Sequence, residues 1–306
     1  MTTEDTLYRI EHMTRFRYSE PIREAVVTLY LEPRSDASQH LRSFQIHTDP
    51  GAELGSYEDC FGNAVHFFDV PGEHEQLTVT SRSLVGLHAS DPDETRGAAW
   101  DDLDDLHTPA TWHLLNPTPL TRPTAALDAF VARNGIERGK TPLASVRDLT
   151  ARIHEALGFE RGRTRVDSPI DDALAAESGV CQDFSHIMLA IVRGWGIPAQ
   201  YVSGYLFPVH KGREQVMAQA SHAWIECLLP GLGWVGADPT NNTVSPRHHV
   251  RVASGRDYRD VPPTRGTFRG AAQQDLEVSV KISMLDVEPS GGPAPLGDVR
   301  SPNHGA

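Results

Sequence analysis

Residues 6–20 alternate with a period of two. Tyr8, Ile10, Phe16 and Tyr18 share one parity, and Arg9, Glu11, Arg15 and Arg17 share the other. This pattern predicts a strand with one buried face. A second run, Ala25 to Leu31, is rich in Val, Thr, Leu and Tyr, and strand-like runs follow near 41–48, 64–70 and 77–86. Asp49-Pro50-Gly51, Phe61-Gly62-Asn63 and Pro71-Gly72 separate them as turn signals. Short strands at this spacing predict an antiparallel β domain over residues 1–100.

The pattern changes over 87–123, which is acidic and proline-bearing and reads as a connection with little regular structure. Helical periodicity begins near Thr124 and stops at Gly135, where a C-cap belongs. Val146, Leu149, Ile153 and Leu157 recur at steps of three and four and predict a helix over Leu143 to Leu157. Phe184, Ile187, Met188, Ile191 and Trp195 mark the buried face of a third helix beginning near Cys181. Strands are expected at Gln200–Phe207, His222–Leu228, Gly233–Ala237 and Asp275–Met284. The predicted division is a β-rich domain (1–100), a connection (101–123), an α+β core (124–286) and a disordered Pro-, Gly- and Ser-rich tail (287–306).

A formal net charge of -13 argues against nucleic acid as a partner, because phosphate contacts need a basic face. No stretch approaches the roughly 20 apolar residues of a membrane span, so no membrane partner is expected. The first 20 residues show no apolar signal-peptide region, and the expected location is the cytoplasm. Cys60, Cys181 and Cys227 are odd in number and far apart, which disfavours both a disulfide framework and a cysteine-based zinc site. Oligomeric state is left open.

The remaining option is a reactive thiol. Cys181 stands where a loop becomes a helix, in Glu177-Ser178-Gly179-Val180-Cys181-Gln182-Asp183-Phe184. Free N–H groups and the positive end of the helix dipole stabilise a thiolate at such a place. The same N–H groups can serve an oxyanion. A thiol nucleophile needs a base and the base an orienting acceptor. His222 opens one predicted strand and Asp238 ends the next. A hairpin turning at Leu229–Gly233 would bring the two together. Taken singly, each residue has a plain structural reading: a packed thiol, a satisfied histidine, an Asp-Pro turn. Their order on a helix and a following hairpin is more specific.

The runs GVCQDFSHIMLAIVRGWGIPAQYVSGY and SHAWIECLLPGLGWVGADPT resemble the core of the transglutaminase-like superfamily of papain-like thiol enzymes. VASGRDYRDVPPTRGTFRG resembles the end of that core in its bacterial branch, and the first hundred residues resemble the accompanying N-terminal β region. The resemblance implies a nucleophile helix packed on an antiparallel sheet, with Cys181, His222 and Asp238 as catalytic triad. It implies thiol acyl transfer through a thioester on a peptide or protein amide substrate: hydrolysis in some members, glutamine modification or cross-linking in others. A minority of members have lost the triad, and a non-catalytic peptide-binding module is the third reading. Hydrolysis is preferred, because a cytosolic enzyme without calcium control has no evident restraint on cross-linking. No tryptophan aligns with the oxyanion tryptophan of animal transglutaminases, so the second oxyanion donor is unassigned. Their calcium sites have no counterpart, and no metal or cofactor is expected.

Gln182 and Trp224 are possible cleft residues, with core packing preferred for Trp224. Arg256 and Asp257 either bind an acidic substrate group or hold the C-terminal segment. Asp183 is expected to serve the helix N-terminus. His186 is expected to pack or bond within the fold, and Cys227 to be a buried apolar residue. Adjacent His248 and His249 point apart in an extended chain and have no third ligand at metal spacing.

Overall fold

The computed structural model of the protein describes residues 6–88, 99–207, 214–218, 221–245 and 247–285. The expected tail lies outside these residues. The fold is α+β and rests on two large antiparallel sheets. The first contains β1 (Thr6–Leu29), β2 (Gln39–Asp49), β3 (Gly55–Glu58), β4 (Ala64–Leu87), β8 (Glu214–Ala218), β13 (Thr264–Arg269) and β14 (Gln274–Leu285). The second contains β7 (Ala199–Leu206), β9 (His222–Leu229), β10 (Gly233–Asp238), β11 (Thr243–Val244) and β12 (His249–Gly255). A two-stranded parallel piece joins β5 (Gly158–Phe159) to β6 (Ser178–Gly179).

The alternation in β1 puts Tyr8, Ile10, Phe16 and Tyr18 in the interior. The chain does not turn at Pro71-Gly72, as expected from its composition. β4 runs through this point, with Pro71 opposite Glu24, and β1 runs through Pro21, with register shifts between Arg17 and Ile22 and between Ile22 and Glu24. Gly72 adopts φ +91. Bulges accommodate Pro and Gly inside a strand by releasing ladder bonds locally. Two long bent strands therefore replace four short ones.

The connection carries more local structure than expected, a 3-10 turn at Trp100–Leu106 and a short helix α1 (Trp112–Leu115). Helices α2 (Ala125–Arg133) and α3 (Pro142–Ala156) start at Thr124 and Thr141, whose hydroxyls accept from Leu127 and Ala144 N–H. α4 (Ile170–Ala176) follows. α5 (Cys181–Gly194) is buried from Gln182 to Arg193 and packs on β9 and β7. It ends where Gly196, at φ +82, precedes Ile197-Pro198.

The expected boundary at 124–286 needs correction. β14 pairs with β1 along Leu7–Tyr18, and β13 pairs with β1 along Glu24–Leu29. The last strands thus complete the first sheet, because its central strand β1 has its second edge satisfied only by them. One apolar core joins Tyr8, Val65 and Val85 to Ile282 of β14, Ile153 of α3, Ile187 of α5 and Ile225 of β9. A smaller one lies around Phe16, Ile22, Phe68 and Leu77.

Candidate active site

Cys181 is the first residue of α5. Val180 before it is extended (φ -114, ψ 176), and its N–H donates 2.8 Å to the Asp183 carboxylate. Asp183 also accepts from Thr164 Oγ1 at 2.6 Å. A Cβ on Gly179 would lie 2.6 Å from Asp183 Oδ2, so only glycine lets this carboxylate close over the helix start. Burial raises the Asp183 pKa, and these bonds oppose the rise.

β9 and β10 form the hairpin expected at Leu229–Gly233, with Gly233 opposite Leu229 and Ala237 opposite Ile225. This register brings His222 beside Asp238, and His222 Nε2 donates 2.7 Å to Asp238 Oδ2. Cys181 borders the same cavity as this ring and helps to raise its pKa. With Nε2 committed to the carboxylate, Nδ1 is the ring atom left for sulfur. Asp238 is fully buried. Its Oδ1 accepts the N–H groups of Thr240 and Asn241 at 3.0 and 3.2 Å, and its Oδ2 also accepts Asn241 Nδ2 at 2.7 Å. Burial alone would lower the His222 pKa, but the Asp238 charge and hydrogen bond and then Cys181 outweigh it, and the net shift is upward. Burial would raise the Asp238 pKa, but the two histidines and their bonds hold it far below the usual carboxylate range.

Trp224 is buried and stacks near His222 at 6.1 Å between centroids. It can do so because Gly204 has no side chain: a Cβ there would lie 2.6 Å from the indole and 2.1 Å from the Val250 carbonyl. A cavity of about 430 Å3 opens over Cys181 and His222. Its walls include Tyr201 and Ser203 of β7, Tyr258, and the exposed apolar side chains of Phe159, Val166 and Leu276. Leu276 and Val278 come from β14, so the first sheet forms one wall.

The other sequence candidates are distributed differently. Gln182 borders this cavity, but its amide donates to the Val166 carbonyl at 2.9 Å. Trp224 borders a second cavity, with Glu226, Trp234 and Arg251. Arg256 turns to Asp260, with Nε and Nη2 bonds of 2.8 and 2.9 Å, and does not line the Cys181 cavity. Asp257 is buried and accepts the Arg259 N–H at 2.7 Å. These contacts tie together the segment after β12. His186 is buried, accepts the Tyr258 N–H at 3.3 Å, and has its pKa lowered to about 3 by burial. Cys227 is buried, and burial pushes its thiol up to about 12; Cys60 is exposed.

Sequence reasoning missed His249. His248 and His249 do point apart: His248 Nδ1 pairs with the Tyr8 hydroxyl at 2.8 Å, and His249 Nε2 donates to Asp238 Oδ2 at 2.8 Å. In the fold, though not at metal spacing in the sequence, His222, Asp238 and His249 bring ligand-type atoms within 4.8 Å of one another. The signal lay in β12, which pairs with β7 and so brings its first residue to the same sheet end. Two imidazoles and a carboxylate suit a divalent ion chemically. Here both Nε2 atoms are committed to the carboxylate by hydrogen bonds, and an ion would have to displace them.

Residues 8–86 match the family model for the bacterial transglutaminase-like N-terminal region, and residues 129–239 match the transglutaminase-like superfamily. An uncharacterized protein of Mycobacterium leprae is 34% identical over 285 residues, covering 90% of this chain and 98% of its own. An uncharacterized protein of Mycobacterium tuberculosis is 33% identical over 294 residues, covering 90% and 92%. A protein-glutamine gamma-glutamyltransferase of Pseudomonas aeruginosa is 34% identical over 107 residues, which span 32% of this chain and 16% of that protein. A candidate cysteine protease from Cytophaga hutchinsonii of known structure shares the fold, with a TM-score of 0.74, 18% identity and coverage of 94% and 93%. Both the N-terminal region and the core thus match, and the chain belongs to the bacterial transglutaminase-like superfamily.

Proposed function

We propose that the protein is a cysteine-dependent acyl-transfer enzyme that hydrolyses a peptide or amide bond. The observation that carries this reading is the His222 ring bonded to the buried Asp238 carboxylate at the wall of an open cavity that Cys181 also lines. His222 takes the thiol proton, and the sulfur attacks the substrate carbonyl carbon to form a C–S bond. The Asp183 and Phe184 N–H groups turn to the Val180 carbonyl. The N–H groups of Cys181 and Gln182 are then the first-turn donors for the oxyanion. The tetrahedral species collapses, the C–N bond breaks, and the His222 imidazolium gives its proton to the departing amine. Water, deprotonated by His222, attacks the thioester and releases acid and free thiol. The cavity opens to solvent, and water needs no second binding site.

Amine transfer is the second reading. It draws support from the Pseudomonas aeruginosa glutamyltransferase, whose similarity is confined to a short segment. A glutamine-containing peptide incubated with a labelled amine separates the two: acid or shorter peptide is expected, and label in the peptide would establish transfer. Iodoacetamide near neutral pH tests the site itself. Alkylation of Cys181 is expected to be fast, selective over Cys60, and abolished by His222→Ala. Labelling of Cys181 no faster than Cys60 would reduce the chain to a peptide-binding module.

A further inference from the structure

Beside Asp238 lies a second imidazole to which the proposed reaction assigns no task. His222 and His249 both donate to Oδ2, at 2.7 and 2.8 Å. Their rings are 5.4 Å apart, and His249 stands edge-on to Trp224 at 4.9 Å. His249 Nδ1 is buried and has no hydrogen-bond partner among the described residues. A ring that donates from Nε2 and keeps a bare, buried Nδ1 is the neutral tautomer. A second proton would create a buried N–H without an acceptor and a cation beside His222.

We propose that His249 is a positioning residue, a neutral donor that fixes the Asp238 carboxylate for His222 without cancelling its charge; this rests on Cys181, His222 and Asp238 being the reacting groups. A cationic donor on the same oxygen would weaken the field that keeps His222 protonated. Burial pulls the His249 pKa down; the Asp238 hydrogen bond and charge oppose this, while His222 and His248 add to it. The remaining charged groups facing it line the second cavity: Glu226, Arg251, Arg247 and His88.

Two measurements on the full chain test this. Long-range 1H–15N spectra of 15N-histidine protein report the tautomer of each ring, whatever the chain's activity. His249 is expected to stay in the Nε2–H form from about pH 5 to 8, the range in which an ordinary imidazole titrates. A midpoint within that range, or a hydrogen on Nδ1, overturns the proposal. The second measurement is the rate of Cys181 alkylation against pH in wild type, His249→Leu and His249→Gln. Leucine fills the space beside Trp224 and donates nothing, whereas glutamine carries an N–H at similar reach. Without its second imidazole donor the Asp238 carboxylate is no longer fixed for His222, and the imidazolium that favours the thiolate is weakened. His249→Leu is therefore expected to slow alkylation about tenfold, the equivalent of one charge-assisted hydrogen bond, and to move the acid limb of the profile upward. His249→Gln is expected to recover rate and limb together. Equal losses in both variants with an unmoved limb, in chains that melt as wild type does, would reduce His249 to packing and overturn the proposal. A wild-type Cys181 that reacts no faster than Cys60 refutes the catalytic reading instead, and leaves the tautomer result standing.

Discussion

A carboxylate without solvent contact must take its stabilisation from neighbours, and Asp238 takes it from two backbone N–H groups, an amide and two imidazoles. Two stability terms of opposite pH sense follow. The His222 pKa is raised on folding, so its contribution is complete below the unfolded value of about 6.5 and is lost as pH rises through the folded value. The Asp238 pKa is depressed, so its contribution is complete above about 3.9 and is lost as pH falls through the folded value. Asp238→Asn is accordingly expected to cost about 3–5 kcal/mol near pH 5–6, as breaking one side of a buried pair does. The difference should shrink as pH climbs from about 6.5 toward about 10, through which the wild type gives up its imidazolium. Tm measured against pH for both proteins checks this, and a constant gap across the range contradicts it.

At the scale of elements, the placement of the Cys181 thiol depends on how its helix begins. Gly179→Ala would press a methyl group against the Asp183 carboxylate. Overpacking of this kind costs about 1–3 kcal/mol. Because the strain falls on the cap that places Cys181, the variant should also alkylate more slowly than its melting temperature alone would explain; unchanged kinetics at lowered stability would detach the cap from the thiol. This part of the site was legible in sequence. Gly179, Cys181 and the apolar face of α5 lie within one continuous segment, and the β9–β10 hairpin is local too. His249 was not legible, since it reaches Asp238 through the pairing of β12 with β7, across an intervening strand and loop. Nor was the run of β4 through Pro71-Gly72, where local turn chemistry is overridden by the ladder to β1. For Arg256 and Asp257 the sequence left two readings open, substrate binding or holding the C-terminal segment; their partners Asp260 and Arg259 lie a few residues away in the same turn.

The whole molecule does not divide where its composition changes. β1 is completed by β14, and polar ties cross between the two sheets: His12 to Tyr205, Asn63 to the Ser254 carbonyl and Gln39 to the Arg251 carbonyl. A single unfolding transition is therefore expected. All five tryptophans stand between residues 100 and 234, outside the first sheet. Ile282, buried in β14, lies within it. Ile282→Ala should cost about 2–5 kcal/mol and shift the tryptophan fluorescence and circular dichroism transitions equally. A fluorescence midpoint left in place would show that the sheets melt independently.

Leu276 and Val278, which close one side of the Cys181 cavity, belong to the last described strand. Translation therefore delivers thiol, imidazole and carboxylate well before it delivers the surface against which a substrate would lie. A ribosome-bound chain paused after Asp238 would hold Cys181, His222 and Asp238 and still lack the wall that Leu276 and Val278 supply, so under the proposed reading the cleft is finished only after the side chains that would react in it.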